Sequence, residues 1–151
     1  MEPHNYHIVV NWNLDRKGVM CSPELNQNGS NCIEVATPPE FPKGIPGIWS
    51  PEHLFTASVS SCLMTSFLAI AENFKLEFVD FSCPAKGTLE QIDGKLLMTT
   101  ITLEPRVVVK DDKNRALAEK VLQKSENVCL ISNSIKSRVI MKSKIEVAEV
   151  V

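Results

Sequence analysis

The amino-acid sequence predicts an α+β fold, in which a mostly antiparallel sheet is wrapped around one long, central, buried helix. The helix is indicated by a run from Leu54 to Ala71, where 18 residues carry no charged side chain. The sheet is indicated by strand-like segments that come in blocks before and after this run, an order typical of α+β domains. With 151 residues the chain has the length of one domain with its own core, and we predict a single domain over residues 1–151.

The first quarter of the chain is predicted to be an antiparallel meander. Three strand-like segments cover residues 6–13, 19–25 and 32–36. Two turns separate them. The first runs from Asp15 to Gly18, and the second, over residues 26–31, has Asn-Gly at its centre, which is typical of hairpins.

Residues 37–49 contain four prolines and two glycines, so they are predicted to form an irregular segment that leads into the helix. The segment also carries apolar residues that an ordinary loop would expose, namely Phe41, Ile45, Ile48 and Trp49. A loop that lines a pocket is therefore the alternative.

The central helix is predicted over residues 50–74. Ser50 suits the N-cap, Pro51 the first helical position and Glu52 the first turn. The large apolar side chains fall on most sides of this helix, as they do in a helix that is buried almost all round. A membrane span is the alternative that its length allows. Because six of the 18 uncharged residues are Ser or Thr, Glu52 and Glu72 flank the run and no basic cluster marks one end, we favour the core helix and expect no membrane partner.

Three further strands are predicted, over residues 76–92, 95–110 and 138–147. The first two are joined by Asp93-Gly94, a strong hairpin signal. Pro84 and Pro105 lack the N–H group that a sheet requires, so both strands are expected to bend, or to lie at an edge, at these positions.

Two helices are predicted between the hairpin and the last strand. The first, capped by Asp111 or Asp112, runs to about Lys124, and residues 128–136 form a second, short helix after an interruption at 125–127. The buried face of the first helix is predicted to consist of Leu117, Ala118, Val121 and Leu122.

Charge and composition argue against several classes of function. The net charge of −2 and isoelectric point of about 5.9, without a basic stripe, predict no nucleic-acid partner. The N-terminus does not have the pattern of a signal peptide. Five cysteines without CxxC spacing, an odd number, favour a reducing compartment with mostly free thiols, and we expect a cytoplasmic location. Three histidines without paired spacing argue against a metal site, and no cofactor is predicted.

The apolar character of the central helix also predicts an oligomer. One sheet and one short pair of helices cannot cover a helix that has apolar side chains on nearly every face. We therefore predict an obligate homodimer, in which the central helices of two copies pack together.

Two cysteines occupy positions that suit thiol chemistry. Cys62 lies in the middle of the central helix among small residues, either as a reactive thiol or as a small apolar side chain that fills a gap. Cys129 follows Asn127, a helix-capping residue, and in a first helical turn the dipole would favour its thiolate; packing under the sheet is the alternative. As a pair they suit peroxide chemistry, because a second thiol captures the sulfenic acid of the first before over-oxidation.

The segments around these cysteines resemble the OsmC/Ohr family of thiol peroxidases. The resemblance rests on SPEHLF…SSCL within residues 50–63 and on NVCLISNS at residues 127–134, and the order of elements agrees over nearly the whole chain. It implies an intertwined, domain-swapped homodimer with two active sites at the interface. It also implies that Cys62 is the peroxidatic thiol and Cys129 the resolving thiol. The chain is more similar to the divergent OsmC-like branch than to the organic-hydroperoxide-resistance branch, so no substrate preference follows.

The family also uses an arginine in its first hairpin turn and a glutamate in the proline-glutamate segment, which correspond here to Arg16 and Glu52. The resemblance implies that Arg16 stabilises the thiolate and binds the hydroperoxide, while Glu52 fixes the orientation of the guanidinium. The match of Arg16 to the family's arginine is looser than that of Glu52, because the turn lacks the family's glycine-rich run and Lys17 is an equally placed cation. A solvated turn charge is the alternative for Arg16. No family role corresponds to Cys21, Cys32 and Cys83.

Glu52 and Cys62 are ten positions apart, which is about 15 Å along a straight helix. An Arg16 side chain that reaches Glu52 could not also touch Cys62 of the same unbroken helix. Either the chain turns between Glu52 and Cys62, or Arg16 and Glu52 of one subunit serve Cys62 of the other. We favour the second arrangement.

Two functions are consistent with these observations. The first is an enzyme that reduces organic hydroperoxides through a Cys62 thiolate and a Cys62–Cys129 disulfide, which an external dithiol, by resemblance a lipoyl-type one, then reduces. The second is a non-catalytic dimeric binding module for an apolar ligand, in which the cysteines are structural.

Overall fold

A computed structural model describes residues 1–25, 28 and 31–149 of the chain. It divides into two compact units, Met1–Leu54 and Phe55–Val151, which are described separately below. Most of the hairpin loop predicted at residues 26–31 lies outside the described residues, so that prediction stays a prediction.

The first unit is built on a three-stranded antiparallel meander, as predicted. Its strands, in the order β1-β2-β3, are Val9–Leu14, Lys17–Cys21 and Ile33–Ala36. The β1–β2 turn is tight, because Asp15 adopts a positive φ of 49°. Residues 37–49 contain turns and no strand, as predicted, and their end returns to the sheet where the Ala36 N–H donates to the Trp49 carbonyl at 2.9 Å.

A disulfide joins Cys21, at the end of β2, to Cys32, just before β3, with a Cα–Cα distance of 4.4 Å. The β2–β3 register pairs Met20 with Ile33, so the two cysteines are the next pair along the ladder. The other three cysteines, Cys62, Cys83 and Cys129, are free. The expectation of mostly free thiols thus holds for three of five cysteines, whereas the cross-strand bridge was not predicted.

The long helix α1 covers Pro51–Asn73, and its N-cap is Ser50 as predicted, since the His53 N–H donates to Ser50 Oγ at 3.1 Å. Five of its residues are buried: Val59, Cys62, Leu63, Phe67 and Ala71. A second face is exposed and includes Met64 and Leu68, which are 40% and 43% exposed. Within one chain, therefore, the helix is buried on one face and not almost all round. By its length and its mean hydropathy of 1.7, this helix could also span a membrane. The core helix of a soluble protein can have the same length and hydropathy.

The second unit contains two three-stranded sheets. In order across each sheet, the strands are β4-β7-β9 and β5-β6-β8. Their bounds are Phe78–Ser82 (β4), Ala85–Ile92 (β5), Lys95–Leu103 (β6), Arg106–Val109 (β7), Arg138–Met141 (β8) and Lys144–Val147 (β9). The pairs β4–β7 and β5–β6 are antiparallel, and only β8 and β9 run parallel to their neighbours in the described part of the chain. The predicted α+β class with a mostly antiparallel sheet is confirmed.

Each of the three long strands predicted in this unit is divided in two. The first two breaks fall beside Pro84 and Pro105, where a bend was expected, and the third falls at residues 142–143. Backbone hydrogen bonds connect the breaks: the Glu104 N–H donates to the Pro84 carbonyl at 2.9 Å and the Lys142 N–H to the Leu103 carbonyl at 2.8 Å. We call this line across the strands the crease.

The second helix, α2, covers Arg115–Val128 and follows a short 3-10 turn that Asp111 caps. The predicted interruption at residues 125–127 is wrong, because α2 continues to Val128. Ser125 Oγ donates to the Val121 carbonyl at 2.6 Å, so this hydroxyl is satisfied within the helix. The predicted short helix at 128–136 is also wrong, since that segment holds a 3-10 turn at Ser132–Ser134. Three of the predicted core residues of α2, Ala118, Val121 and Leu122, are fully buried, and Leu117 packs against them.

Two apolar clusters form the core of the second unit. One surrounds Phe67 of α1 and joins it to β7 and α2; its fully buried members include Val107, Val109, Val121 and Leu122. The other joins the preceding turns of α1 to β6 and consists of Val59, Leu63, Ile101 and Leu103. Because α1 contributes to both clusters, the position of Cys62 on this helix is determined by packing on either side of it.

Candidate functional site

The first unit contains a cavity of about 420 Å³ beside the turn between β1 and β2. The wall is mainly apolar and includes Val10, Trp12 and Val35, while Arg16 and Lys17 supply two positive charges against the one negative charge of Asp15. Trp12 is held over the turn, because its indole N–H donates to the Asp15 carbonyl at 2.9 Å. An apolar wall with a cation beside it suits a ligand that has an apolar body and a polar or anionic head.

The two candidate cations differ in their partners. Lys17 Nζ lies 3.4 Å from Glu34 Oε1 on the neighbouring strand, an ion pair across the β2–β3 ladder. Arg16 lies at the tip of the turn and is exposed. Since Lys17 already has an acidic partner, Arg16 is the better candidate for binding a ligand in this cavity.

The predicted glutamate, Glu52, lies in the first turn of α1 and is half-buried. Pro51, the residue before it, contributes to the wall of the same cavity as Arg16. Arg16 and Glu52 therefore both belong to the first unit. His53, which the sequence reasoning did not assign, contacts Ser50 Oγ through Nδ1 at 2.6 Å and lies edge-on to Trp49, so it supports the start of the helix.

The two predicted redox cysteines lie in the second unit, and both are free and buried. Cys62 is 8% exposed and Cys129 is fully buried. The pKa of the Cys129 thiol is raised, first by burial and further by the neighbouring Cys62 thiol, whereas hydrogen bonding by Ser132 lowers it. The structure thus brings these two thiols together.

The position of Cys129 differs from the predicted one. It directly follows the last residue of α2, and its N–H donates to the Glu126 carbonyl at 3.3 Å. The C-terminal end of a helix carries partial negative charge, which disfavours a thiolate. The predicted first-turn position, with its lowered pKa, is therefore wrong, because Ser125 to Asn127 continue α2 instead of starting a new helix.

An acidic residue that the sequence reasoning missed lies one helical turn before Cys129. The pKa of the Glu126 carboxyl is raised by burial and lowered in part by the Ser132 hydroxyl. Glu126 Oε2 and Ser132 Oγ are both buried, and neither has a hydrogen bond of ordinary geometry within the described residues. No local sequence motif identifies Glu126. Its spacing of three residues from Cys129 becomes informative only once α2 is known to extend to Val128.

Cys83, the third free thiol, lies at the crease and is half-buried. Its pKa is raised to about 11, mainly by burial and further by the negative charges of Glu126 and Glu104, while a backbone hydrogen bond at Glu104 lowers it in part. A thiol with such a pKa stays protonated near neutral pH and is a poor nucleophile.

Comparisons with known proteins identify relatives that cover most of the chain. The family model for OsmC-like proteins matches residues 44–144. YmaD, an uncharacterized protein of Bacillus subtilis, is 25% identical over 142 residues, which are 92% of this chain and 91% of the relative.

Solved structures share the fold at lower identity. An OsmC-like protein of unknown function from Vibrio cholerae superimposes with a TM-score of 0.80 at 23% identity, covering 93% of this chain and 99% of the other. An organic hydroperoxide resistance protein, OsmC, from Legionella pneumophila gives a TM-score of 0.73 at 22% identity, covering 97% and 99%. The arrangement of helices and strands is therefore common to all three proteins.

Proposed function

Because this chain belongs to the OsmC-like family, we propose that it is a thiol-dependent peroxidase that reduces organic hydroperoxides to alcohols. The observation that carries the proposal is the pair of buried, free thiols, Cys62 and Cys129, which lie close enough for one to affect the pKa of the other. The Legionella protein of the same fold is named for resistance to organic hydroperoxides.

The proposed reaction has three steps. The Cys62 thiolate attacks the distal peroxide oxygen, the O–O bond breaks, and the alkoxide leaves and takes up a proton to become the alcohol. The Cys62 sulfenic acid then condenses with the Cys129 thiol, which forms a disulfide and releases water. An external dithiol, for which a lipoyl-type compound is our candidate, reduces the disulfide by thiol–disulfide exchange. In this scheme the enzyme acts in the cytoplasm, where such dithiols are kept reduced.

The cavity of the first unit supplies the binding site in this proposal. Its apolar wall, with Val10 and Trp12, accommodates the organic part of the hydroperoxide. The Arg16 guanidinium binds the peroxide oxygens and stabilises the Cys62 thiolate, and the Glu52 carboxylate orients it.

We further propose that the working unit is a homodimer, in which Arg16 and Glu52 of one subunit serve Cys62 of the other. The support comes from α1, whose exposed face follows the helical repeat through Ser61, Met64, Thr65, Leu68 and Ala69. This face is uncharged over about two turns, has apolar and small side chains, and suits packing against the same helix of a second copy.

The second candidate function, a non-catalytic dimeric module that binds an apolar ligand, also has an observation in its favour. The cavity of about 420 Å³ with its mainly apolar wall would hold such a ligand without any thiol. In that case both buried cysteines would serve packing alone.

The test is consumption of cumene hydroperoxide with dihydrolipoamide as reductant. Cys62→Ser should lower the rate by roughly 10³-fold or more, to the background reaction, because the attacking thiolate is lost. Cys83→Ser, the matched control at the remaining free thiol, should keep the wild-type rate. One equivalent of peroxide should also produce an intramolecular Cys62–Cys129 disulfide, detected by peptide mass mapping.

Full activity in a folded Cys62→Ser variant would exclude the proposed mechanism. Stable Cys62 sulfinic acid beside a free Cys129 would show that Cys129 does not resolve. An inert wild-type protein that binds a fluorescent fatty acid would favour the binding module.

A further inference from the structure

The second step of the proposed reaction requires a proton to leave Cys129. A thiolate, and not a thiol, attacks the sulfur of a sulfenic acid. Cys129 is fully buried and lies at the C-terminal end of α2. Its pKa is raised by burial, and the two groups that affect it, Ser132 and Cys62, are not cations. Cys129 is therefore a protonated thiol at rest, and its attack on Cys62 needs a base.

Glu126 lies where such a base is required. Residues three apart on a helix are neighbours on its surface, and Glu126 and Cys129 have this spacing at the end of α2, linked by the hydrogen bond of 3.3 Å between their backbones. The 3-10 turn that follows brings Ser132 back to the same place, since the Asn133 N–H donates to the Cys129 carbonyl at 3.0 Å.

Ser132 connects the acid to the thiol. Its hydroxyl lies near enough to both groups to lower the pKa of the Cys129 thiol and that of the Glu126 carboxyl. Ser132 Oγ and Glu126 Oε2 are both buried and, among the described residues, have no hydrogen bond of ordinary geometry that would hold them elsewhere. A hydroxyl both donates and accepts, so it can pass a proton from the thiol to the carboxylate.

Stability alone gives no reason for a carboxyl group here. Burying an unpaired carboxylate costs free energy, and a glutamine of the same shape would avoid that cost. Among the described residues, the groups that interact with Glu126 are the Ser132 hydroxyl and the Cys83 thiol, and Glu104 acts on the same thiol. None of these is a cation that would compensate the charge.

We infer that the Glu126 carboxylate accepts, through the Ser132 hydroxyl, the proton that Cys129 loses when it attacks the Cys62 sulfenic acid. The inference rests on the proposed peroxidase function. The Sγ–Sγ bond forms as the S–O bond of Cys62 breaks, and the leaving hydroxide takes up the proton from Glu126 to become water. Cys129 is oxidised, Cys62 is reduced from the sulfenic state, and Glu126 returns to the carboxylate, so no further acid, base or oxidant is needed.

The experiment follows the two steps separately. Reduced protein is mixed with one equivalent of cumene hydroperoxide and quenched at successive times; remaining peroxide reports the first step, and the Cys62–Cys129 disulfide, measured by mass spectrometry, reports the second. Glu126→Gln should leave the first step unchanged and slow disulfide formation about 100-fold near neutral pH. In this variant the rate should also rise about tenfold per pH unit, as Cys129 has to ionise unaided, whereas the wild-type rate should be nearly flat.

Matched variants separate proton transfer from structure. Ser132→Ala should slow disulfide formation as Glu126→Gln does, and Ser132→Thr, which keeps the hydroxyl, should restore it. Glu104→Gln removes a nearby carboxylate that is not connected to Cys129 and should change neither step. Urea midpoints of all variants should show that the fold is intact.

The two proposals fail in different ways. A normal first step in Glu126→Gln with wild-type disulfide rate and pH profile would overturn the role of Glu126 alone, and an unchanged Ser132→Ala would overturn the path through the hydroxyl. A wild-type protein that consumes no peroxide would overturn the peroxidase proposal. Diamide then replaces the peroxide, because it drives the same disulfide and requires the same proton loss from Cys129, so the Glu126→Gln comparison still decides the inference.

Discussion

Single residues in this protein differ in reactivity because their surroundings differ, and Cys83 illustrates this. The thiol is half-buried at the crease, close to the carboxylates of Glu126 and Glu104. Burial and negative charge both disfavour the thiolate. Cys83 is therefore expected to be inert toward electrophiles, although its side chain is partly accessible.

A Cys62→Ser/Cys129→Ser variant, with Cys21 and Cys32 bridged, tests this with one free thiol. With a pKa of about 11 in place of the ordinary 9.0, Cys83 should react with iodoacetamide at pH 8 about 100-fold more slowly than a free cysteine peptide. Because the pKa is raised, the rate should still increase about tenfold between pH 9 and pH 10. A plateau near pH 9, measured by mass spectrometry, would contradict the assigned environment.

At this scale the sequence predicted the residues that lie in recognisable motifs and missed those that depend on burial. Cys62 and Cys129 were predicted as the redox pair from the segments around them; the structure shows both thiols free and buried, and their role stays a prediction. The pKa of Cys129 was predicted in the wrong direction, because α2 continues to Val128 and Cys129 follows its C-terminal end. Glu126 could not be found, since its depth in the fold comes from tertiary packing.

Among the elements, α1 and the sheet come into close contact where α1 passes β5. Gly87 of β5 lies against Thr56 of α1 and Met98 of β6. A Cβ atom at position 87 would overlap Thr56 Oγ1 and lie 2.7 Å from Met98 Cε. The absence of a side chain on Gly87 thus lets α1 rest directly on the sheet.

Gly87→Ala should therefore lower the free energy of unfolding by about 1–3 kcal/mol, because overpacking outweighs the gain in strand propensity. Urea unfolding followed by circular dichroism measures the effect. Lys86→Ala, at the exposed neighbouring position, should stay within about 0.5 kcal/mol of the wild type. Adding Thr56→Ala to Gly87→Ala should recover part of the lost free energy of unfolding. If the free-energy changes of the two substitutions were simply additive, residues 56 and 87 would not clash.

The elements themselves were largely predictable, and their interruptions were less so. The uncharged run and its N-cap signals located α1, periodicity located α2 and the regions of the described strands, and Pro84 and Pro105 indicated two of the breaks. The break at residues 142–143 contains no proline and follows from the neighbouring strand, where the Lys144 N–H donates to the Pro105 carbonyl at 2.9 Å. Because this break follows from a neighbouring strand, the sequence at residues 142–143 does not indicate it.

For the whole molecule, the question is whether the proposed site is shared between two copies of the chain or built within one. Arg16 and Glu52 belong to the first unit, whereas Cys62 and Cys129 belong to the second. In the shared arrangement, each Cys62 is served by the first unit of the other subunit. A site built within one subunit would place the same four residues together in a single chain.

Mixed dimers distinguish the two arrangements. A dimer of one Cys62→Ser subunit and one Arg16→Ala subunit, isolated with two different affinity tags, should have about half of the wild-type peroxidase activity, because one of its two shared sites is intact. The matched control combines Cys62→Ser with Cys129→Ser; it should be inactive, since neither chain has both thiols. An inactive Cys62→Ser/Arg16→Ala dimer of confirmed composition would exclude the shared site.

The crease has a consequence for how reliably the sheet is assembled. Along the chain from Ile101 through Pro105 to Val109, every second residue is buried on both sides of the break. A shift of this strand by one residue against its neighbours would turn the buried face outward. A shift by two residues would keep the same face buried, so burial alone would not disfavour it. It would, however, move Pro105 into a ladder position that requires a donor. Pro105 therefore distinguishes between two strand registers that bury the same apolar residues, and it disfavours the incorrect register during folding.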